Sequence, residues 1–259
     1  MPAQPPAPDI PAFRHVNPNG TSALVLVCEH ASAHMPDAYN HLGLPPAARA
    51  AHIAWDPGAL AVAERMSDLL DARLVAATQS RLIYDCNRPP DAAGAMPAKS
   101  EVYEIPGNTG LSDADRQARI DGVYTPFHTA VSDTLSGVAA PVLLTVHSFT
   151  PVFHGKPRSV EIGLLHDRDS RFADAMLDVA DDHTTHVVER NAPYGPDDGV
   201  THTLQRHALP HGHPNVMVEV RNDLIQSEAQ QTAMGDILAR WVCAAHAHLG
   251  YAGAITCTA

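Results

Sequence analysis

The chain has 259 residues, 45% of them hydrophobic, and a formal net charge of -12. That length suits one large α/β domain or two small ones with room for a substantial core. The negative charge argues against nucleic acid as a partner, since a phosphate backbone demands a basic surface, and no apolar run nears the roughly 18–20 residues that span a bilayer.

Residues 1–20 are rich in Pro and small polar residues and predict an extended N-terminal arm ahead of a single α/β domain over 21–259. The arm has no basic start and no apolar core of a secretory signal, so a cytoplasmic location is expected. ALVLVC (23–28) predicts a strand that runs into Glu29 and His30. AARAAHIAWD leads to Pro57-Gly58 and a helix over 59–72, in which Pro57 suits the first turn and Asp56 the N-cap. RLVAATQ (73–79) is the next strand, followed by Ser80-Arg81 and Asp85-Cys86-Asn87-Arg88. The polar stretch RPPDAAGAMPAKSEVYEIPGNTG is too long for a plain connection and predicts a lid, a binding loop or a mobile segment. Ser112, with Asp115 three residues on, opens a helix over 113–136. PVLLTV (141–146) ends at His147, and SVEIGLLH (159–166) is a further strand. A helix over 169–182, a short strand THVVER (185–190), the loop NAPYGPDDG and a helix over 200–208 follow. NVMVEV (215–220) carries Glu219 and ends at Arg221, and a helix over 227–249 closes the chain. Strands alternating with helices predict a mostly parallel sheet covered by helices. Cys28, Cys86, Cys243 and Cys257 contain no C-x-x-C pair and are expected to be free thiols in a reducing compartment.

In open α/β sheets ligands bind beyond the carboxyl ends of the strands, so residues distant in sequence converge there. His30 and His147 each follow an apolar strand. A catalytic zinc takes three protein ligands and keeps a position for water. Asp56, Glu29 and His34 are the candidates for the third ligand. Asp56 competes with its reading as a helix cap. Glu29 adjoins His30, and neighbouring side chains in a strand point to opposite faces. Glu219 lies inside an apolar strand, where a carboxylate is costly unless paired, metal-bound or functional. Burial there raises its pKa and suits a general base, and the competing reading is an ion pair with Arg221. Arg81, Asn87 and Arg88 form a group fit to hold a substrate carboxylate.

VCEHASAHMP (27–36), WDPGALAVA (55–63), SRLIYDCNRP (80–89), TVHSFTP (145–151), NAPYGPDDGVTHTLQRHA (191–208) and VMVEVRNDLI (216–225) together resemble the N-formylglutamate amidohydrolase family. The resemblance implies a three-layer α/β fold like that of zinc carboxypeptidases (phosphorylase/hydrolase-like), with a mostly parallel or mixed central sheet between helices. It implies one zinc, or another divalent ion, held by His30 and His147. The glutamate three residues beyond the first histidine in zinc carboxypeptidases is Ala33 here, so Asp56 is assigned as the second ligand, with Glu29 next. Glu219 becomes the general base, Arg81 an oxyanion stabiliser, and Arg81, Asn87, Arg88 and Tyr194 the substrate contacts. The implied reaction is hydrolysis of the amide of a small anionic N-formyl or N-acyl amino acid such as N-formyl-L-glutamate. The alternatives are a zinc amidase or carboxypeptidase acting on an acylated amino acid or short peptide, and a non-catalytic homologue that binds metal or carboxylate.

Overall fold

The structure, a computed structural model, describes residues 10–257. Seven strands form one mixed sheet: β1 Phe13–Val16, β2 Leu24–Cys28, β3 Arg73–Ala77, β4 Val142–Phe149, β5 Ile162–Leu165, β6 Val188–Arg190 and β7 Asn215–Arg221. Their spatial order is β1-β3-β2-β4-β7-β5-β6. β3, β2, β4 and β7 run parallel, while β1 is antiparallel to β3 and β5 antiparallel to β7.

The strands are apolar on both sides, as a sheet covered on both faces requires. Leu24, Leu26, Leu74, Leu144, Val216 and Val218 face one cluster with helices α2 Ala59–Leu69, α5 Arg171–Asp178 and α7 Glu228–Leu249. Val25, Val27, Val75, Leu143 and Met217 face the other. That side is covered by α1 Pro46–Ala50, α4 Thr125–Ser136 and α6 His202–His207. Trp241 is fully buried on α7, and its indole donates to the Met176 carbonyl at 2.7 Å, fixing α7 on α5. Truncating so large a core side chain costs about 3–5 kcal/mol.

Several boundaries differ from the sequence expectation, each for a local reason. Part of the expected arm, Phe13–Val16, is the edge strand of the sheet; residues 1–9 lie outside the described residues. The helix expected over 113–136 starts at the Ser112–Asp115 capping box as α3 Asp113–Arg119, then passes through a π turn at Ile120–Tyr124 into α4. Asp56 does not cap α2. The cap is Gly58, whose φ of 84° suits glycine and whose missing Cβ makes room for the Ile225 carbonyl. The long stretch after Arg88 is tied down: Ala95, Met96 and Ile105 are buried, and Asn108 is gripped by Arg119 at 2.6 Å.

The cysteine expectation is overturned for one pair. Cys243 and Cys257 form a disulfide across 14 residues, because the tail after α7 folds back and pairs Ala254 with Ala23 at the start of the sheet. Cys28 and Cys86 are free and buried. Among the described residues no helix is long and apolar enough to cross a membrane.

Candidate active site

β2, β3, β4 and β7 are mutually parallel, so their carboxyl ends share one edge of the sheet. The chain steps outward from β2 to β3 and then returns past β2 to β4. Such a reversal opens a crevice between the two diverging connections, and a cavity of about 720 Å³ lies at this edge, lined in part by His30, Asp56, Arg81, His147 and Glu219.

β4 runs on to Phe149, so His147 sits within a strand rather than beyond one. Glu219 is its direct cross-strand partner on β7. On the other side Val27 pairs with Thr145, which brings Glu29 beside His147: Nε2 and Oε2 are 3.0 Å apart, though off the line of a hydrogen bond. His30 follows β2 in a turn whose carbonyl accepts from the Asp56 amide at 2.9 Å, and this bond delivers Asp56 to the histidines.

Three donor atoms then close a triangle. Asp56 Oδ2 is 2.9 Å from His147 Nδ1 and 3.3 Å from His30 Nδ1, and the two ring nitrogens are 3.1 Å apart. Ligand atoms about 2.0–2.1 Å from a tetrahedral zinc stand about 3.3 Å from one another. The triangle is therefore the size that one such ion requires, and among the described residues His30, Asp56 and His147 form a group that could hold a metal ion. The far side of each ring is also provided for. His30 Nε2 lies 2.7 Å from Asp85 Oδ1, and His147 Nε2 faces Glu29. Metal-bound histidines generally give their second N–H to a carboxylate, which fixes the tautomer; the His30–Asp85 contact has that geometry, while Glu29 meets His147 as an ion-pair neighbour only. Glu29 thus stands behind a ring rather than in the triangle, and His34 is exposed and outside it.

Charge follows the same plan. Burial disfavours ionisation of Asp56 and Asp85, but His30 and His147 outweigh this for Asp56, Arg81 and His30 outweigh it for Asp85, and both carboxyls are lowered. Burial also opposes a charge on His147, yet Glu29 and Asp56 raise its pKa well above the usual imidazole value. Buried carboxylates that force a buried imidazole to take up a proton form a site short of positive charge, which a divalent cation supplies. Glu219 behaves in the opposite way. Burial pushes its carboxyl up to about 7 against the pull of His147, and Oε2 has no hydrogen-bond partner. The ion pair with Arg221 does not form, because Arg221 binds Glu161 at 3.2 Å and Asp223 at 2.8 Å.

The arginine and asparagine group lines the same cavity. Arg81 spans Asp85 at 2.6 Å and Asp56 at 3.4 Å. Asn87 ties its loop to the next wall: its nitrogen donates to the Val200 carbonyl and its oxygen accepts from the Thr203 amide, leaving one N–H of the amide for a ligand. Arg88 donates to the Asn87 and Gly199 carbonyls, each at 2.9 Å. Tyr194 also lines the cavity and accepts from Arg158 at 2.8 Å.

Residues 22–226 match the family model of N-formylglutamate amidohydrolase. The chain belongs to the N-formylglutamate amidohydrolase family. It is accordingly a hydrolase acting on amide bonds. Gene product Atu2144 of Agrobacterium tumefaciens is 51% identical, with a TM-score of 0.90 over 92% of this chain and 96% of that one. An N-formylglutamate amidohydrolase from Ralstonia eutropha JMP134 shares the fold at 20% identity, with a TM-score of 0.58 over 90% of this chain and 96% of that one. No curated protein matches significantly.

Against the family frame, three contacts were not foreseen from sequence. Asp85 holds His30 as well as Arg81. Ser148 donates its backbone N–H to Asp56 at 3.3 Å. Arg158 reaches the cavity from a stretch with no strand or helix periodicity, so no pattern pointed to it.

Proposed function

We propose that this family member hydrolyses the amide of an N-formyl amino acid, with N-formyl-L-glutamate as the substrate to try first. The work is done by one α/β domain that includes the edge strand Phe13–Val16. The observation that carries the reading is the His30–Asp56–His147 triangle with the Glu219 carboxyl beside it. These three residues would hold one zinc ion, the metal favoured by two imidazoles and a carboxylate. When bound, the ion polarises the scissile carbonyl and acidifies water.

The remaining steps belong to side chains of the chain itself. Glu219 takes a proton from the attacking water and delivers it to the departing amine, a task suited to a carboxyl pushed up to about 7. Arg81, held protonated by Asp85 and Asp56 against the cost of burial, donates to the oxyanion as it forms. Arg88 and the uncommitted N–H of Asn87 bind a substrate carboxylate, with Tyr194 covering the cavity. Asp85 and Glu29 keep the two imidazoles turned toward the triangle.

One observation favours a second reading. A cavity of about 720 Å³ is more than a formyl amino acid needs, being well into the ~300–1,000 Å³ span of small-molecule sites. A longer acyl group or a short peptide would fill it. The test is formate release from N-formyl-L-glutamate by protein of known metal content, run beside N-acetyl and peptide substrates. One ion per chain with no formate release, but turnover of the longer amides, would replace the first reading by the second. Metal binding without any hydrolysis would point to the non-catalytic homologue.

We also propose a cytoplasmic location, the setting of amino-acid-derived substrates. The Cys243–Cys257 bridge counts against a strongly reducing compartment. Thiol titration of protein taken directly from cells decides, since four reactive thiols under denaturant support the cytoplasm and two do not.

A further inference from the structure

The proposed reaction leaves one wall of the cavity without a task. Arg158 lies on it, between the small hairpin Val152–Phe153/Lys156–Pro157 and β5. Its guanidinium carbon is 4.6 Å from the centre of the Phe153 ring, 4.8 Å from that of Tyr194 and 5.4 Å from that of Phe149. Nη2 donates to the Tyr194 hydroxyl at 2.8 Å and Nη1 to the Thr150 carbonyl at 3.2 Å. The backbone is held as firmly, because Arg221 donates to the Arg158 carbonyl at 3.2 Å and is itself anchored by Glu161 and Asp223. Gly163 on β5 has no Cβ to collide with the Ala192 carbonyl, which lets the loop bearing Tyr194 close down on this wall. A long, flexible side chain is thus ordered before any ligand arrives, which removes an entropic cost of binding.

What Arg158 lacks is a counter-ion. Arg81 is matched by Asp56 and Asp85. Among the described residues Arg158 and Arg88 bond directly to no carboxylate, their hydrogen bonds going to Thr150, Tyr194, Asn87 and Gly199, and Arg88 feels Asp85 only at longer range. Both line the cavity. Two ordered guanidinium groups with no directly bonded carboxylate, facing one cavity in a chain of net charge -12, form an anion site against the global sign. A guanidinium carries five N–H donors, and the rings against Arg158 cover its faces while leaving part of its edge to donate. The two arginines hold different points of the cavity: Arg88 is tied to the Gly199 carbonyl and Arg158 to the Tyr194 hydroxyl, five residues apart on one loop.

We infer that Arg158 is a second carboxylate-binding residue, which takes a further anionic group of the substrate besides the one held by Arg88. The site then selects N-acyl amino acids with two negative groups and admits singly charged ones less well. This inference rests on the amidohydrolase reading above, so the test carries a readout that does not need turnover.

N-formyl-L-glutamate and N-formyl-L-glutamine differ only at the distal group, a charged carboxylate in one and a neutral carboxamide in the other. Arg158→Met keeps an apolar stem among the rings and removes the fork; Arg158→Lys keeps a charge. The expected result is that the preference for the glutamate over the glutamine substrate, as a ratio of kcat/KM, falls at least about tenfold in R158M, through KM, and is partly restored in R158K. Binding of glutarate, a dicarboxylate without an amide, measured by calorimetry, should weaken in R158M by a similar factor. Lost glutarate affinity in R158M, with no hydrolysis of either substrate by the unaltered protein, sinks the reaction and leaves the subsite standing. Normal hydrolysis of N-formyl-L-glutamate with an unchanged preference in R158M does the reverse. Equal losses on both substrates, or no glutarate binding and no turnover by the unaltered protein, overturn the subsite as well. If R158M does not fold, Arg158→Gln removes the charge while keeping a polar side chain, and an unchanged preference in that variant overturns the assignment.

Discussion

Two groups of buried histidines lie on the same side of the sheet, and their surroundings differ in one respect. His30 and His147 are ringed by Glu29, Asp56 and Asp85. His128, His202 and His207 touch Tyr124, Ser132, the Cys86 carbonyl and each other, with no carboxylate in contact. Burial and neighbouring positive charge push the second group down, His128 to about 2, His207 to about 3 and His202 to about 4. In the first group the carboxylates reverse the effect of burial and raise His147. Burial alone therefore makes a neutral hydrogen-bonding ring. Burial among acids makes a place for a cation. The two groups also cooperate, since His128 Nε2 donates to the Cys86 carbonyl at 2.8 Å, in the loop that carries Asp85 and Asn87.

Asp56→Ala breaks the acidic group most directly, because one oxygen serves both histidines. Metal content should fall from one ion per chain to none, and turnover should vanish with it. An intact metal complement in that variant, measured by elemental analysis, would sink the triangle as the binding site. Glu219→Gln comes next. The protein should fold and keep its metal while turnover drops roughly 10²–10⁴-fold, the span of general-base contributions; near-normal turnover would falsify the catalytic role. Asp85→Asn sharpens the contrast from outside the triangle. It keeps a polar group against His30 but removes the charge, and metal affinity should weaken about 10–100-fold. An unchanged dissociation constant in a chelator competition would mean that Asp85 serves only Arg81.

Much of this could be seen in the sequence, for physical reasons that particular residues make plain. The runs at 23–28, 141–146 and 215–220 are apolar without alternation, the pattern of strands buried on both faces, and they are the centre of the sheet. His30, His147 and Glu219 were marked by polarity next to or inside such runs. Asp56 was harder. Asp before Pro-Gly and a helix suits an N-cap, and only the contacts of its Oδ2 with His30 and His147 show that the side chain turns inward. Arg158 could not be found from pattern, because its place depends on aromatic rings at 149, 153 and 194 meeting across three segments. The Cys243–Cys257 pairing depends on the tail reversing after α7, which cysteine spacing does not encode.

The smallest expected effect probes the neutral group by its titration. Below the ordinary imidazole value of 6.5 the unfolded chain takes up protons on His128, His202 and His207, while the folded protein keeps the rings neutral down to about 2, 4 and 3 respectively. Stability rises with pH wherever the unfolded state binds more protons. The contribution of these rings is therefore fully present above pH 6.5, and it is lost as pH falls from there toward the folded values. Each ring adds a slope of about 1.4 kcal/mol per pH unit in that window. His128→Gln retains a donor for the Cys86 carbonyl but cannot titrate, so at pH 7 it should cost only about 1 kcal/mol and alter turnover little. Between pH 6 and 5, however, its urea unfolding free energy should fall less steeply than that of the unaltered protein, by about 1.4 kcal/mol per pH unit. Comparing the two proteins at matched metal content cancels the groups they share. Parallel curves would show that His128 is protonated in the fold, and the division between an acid-ringed and an acid-free group of histidines would then be wrong.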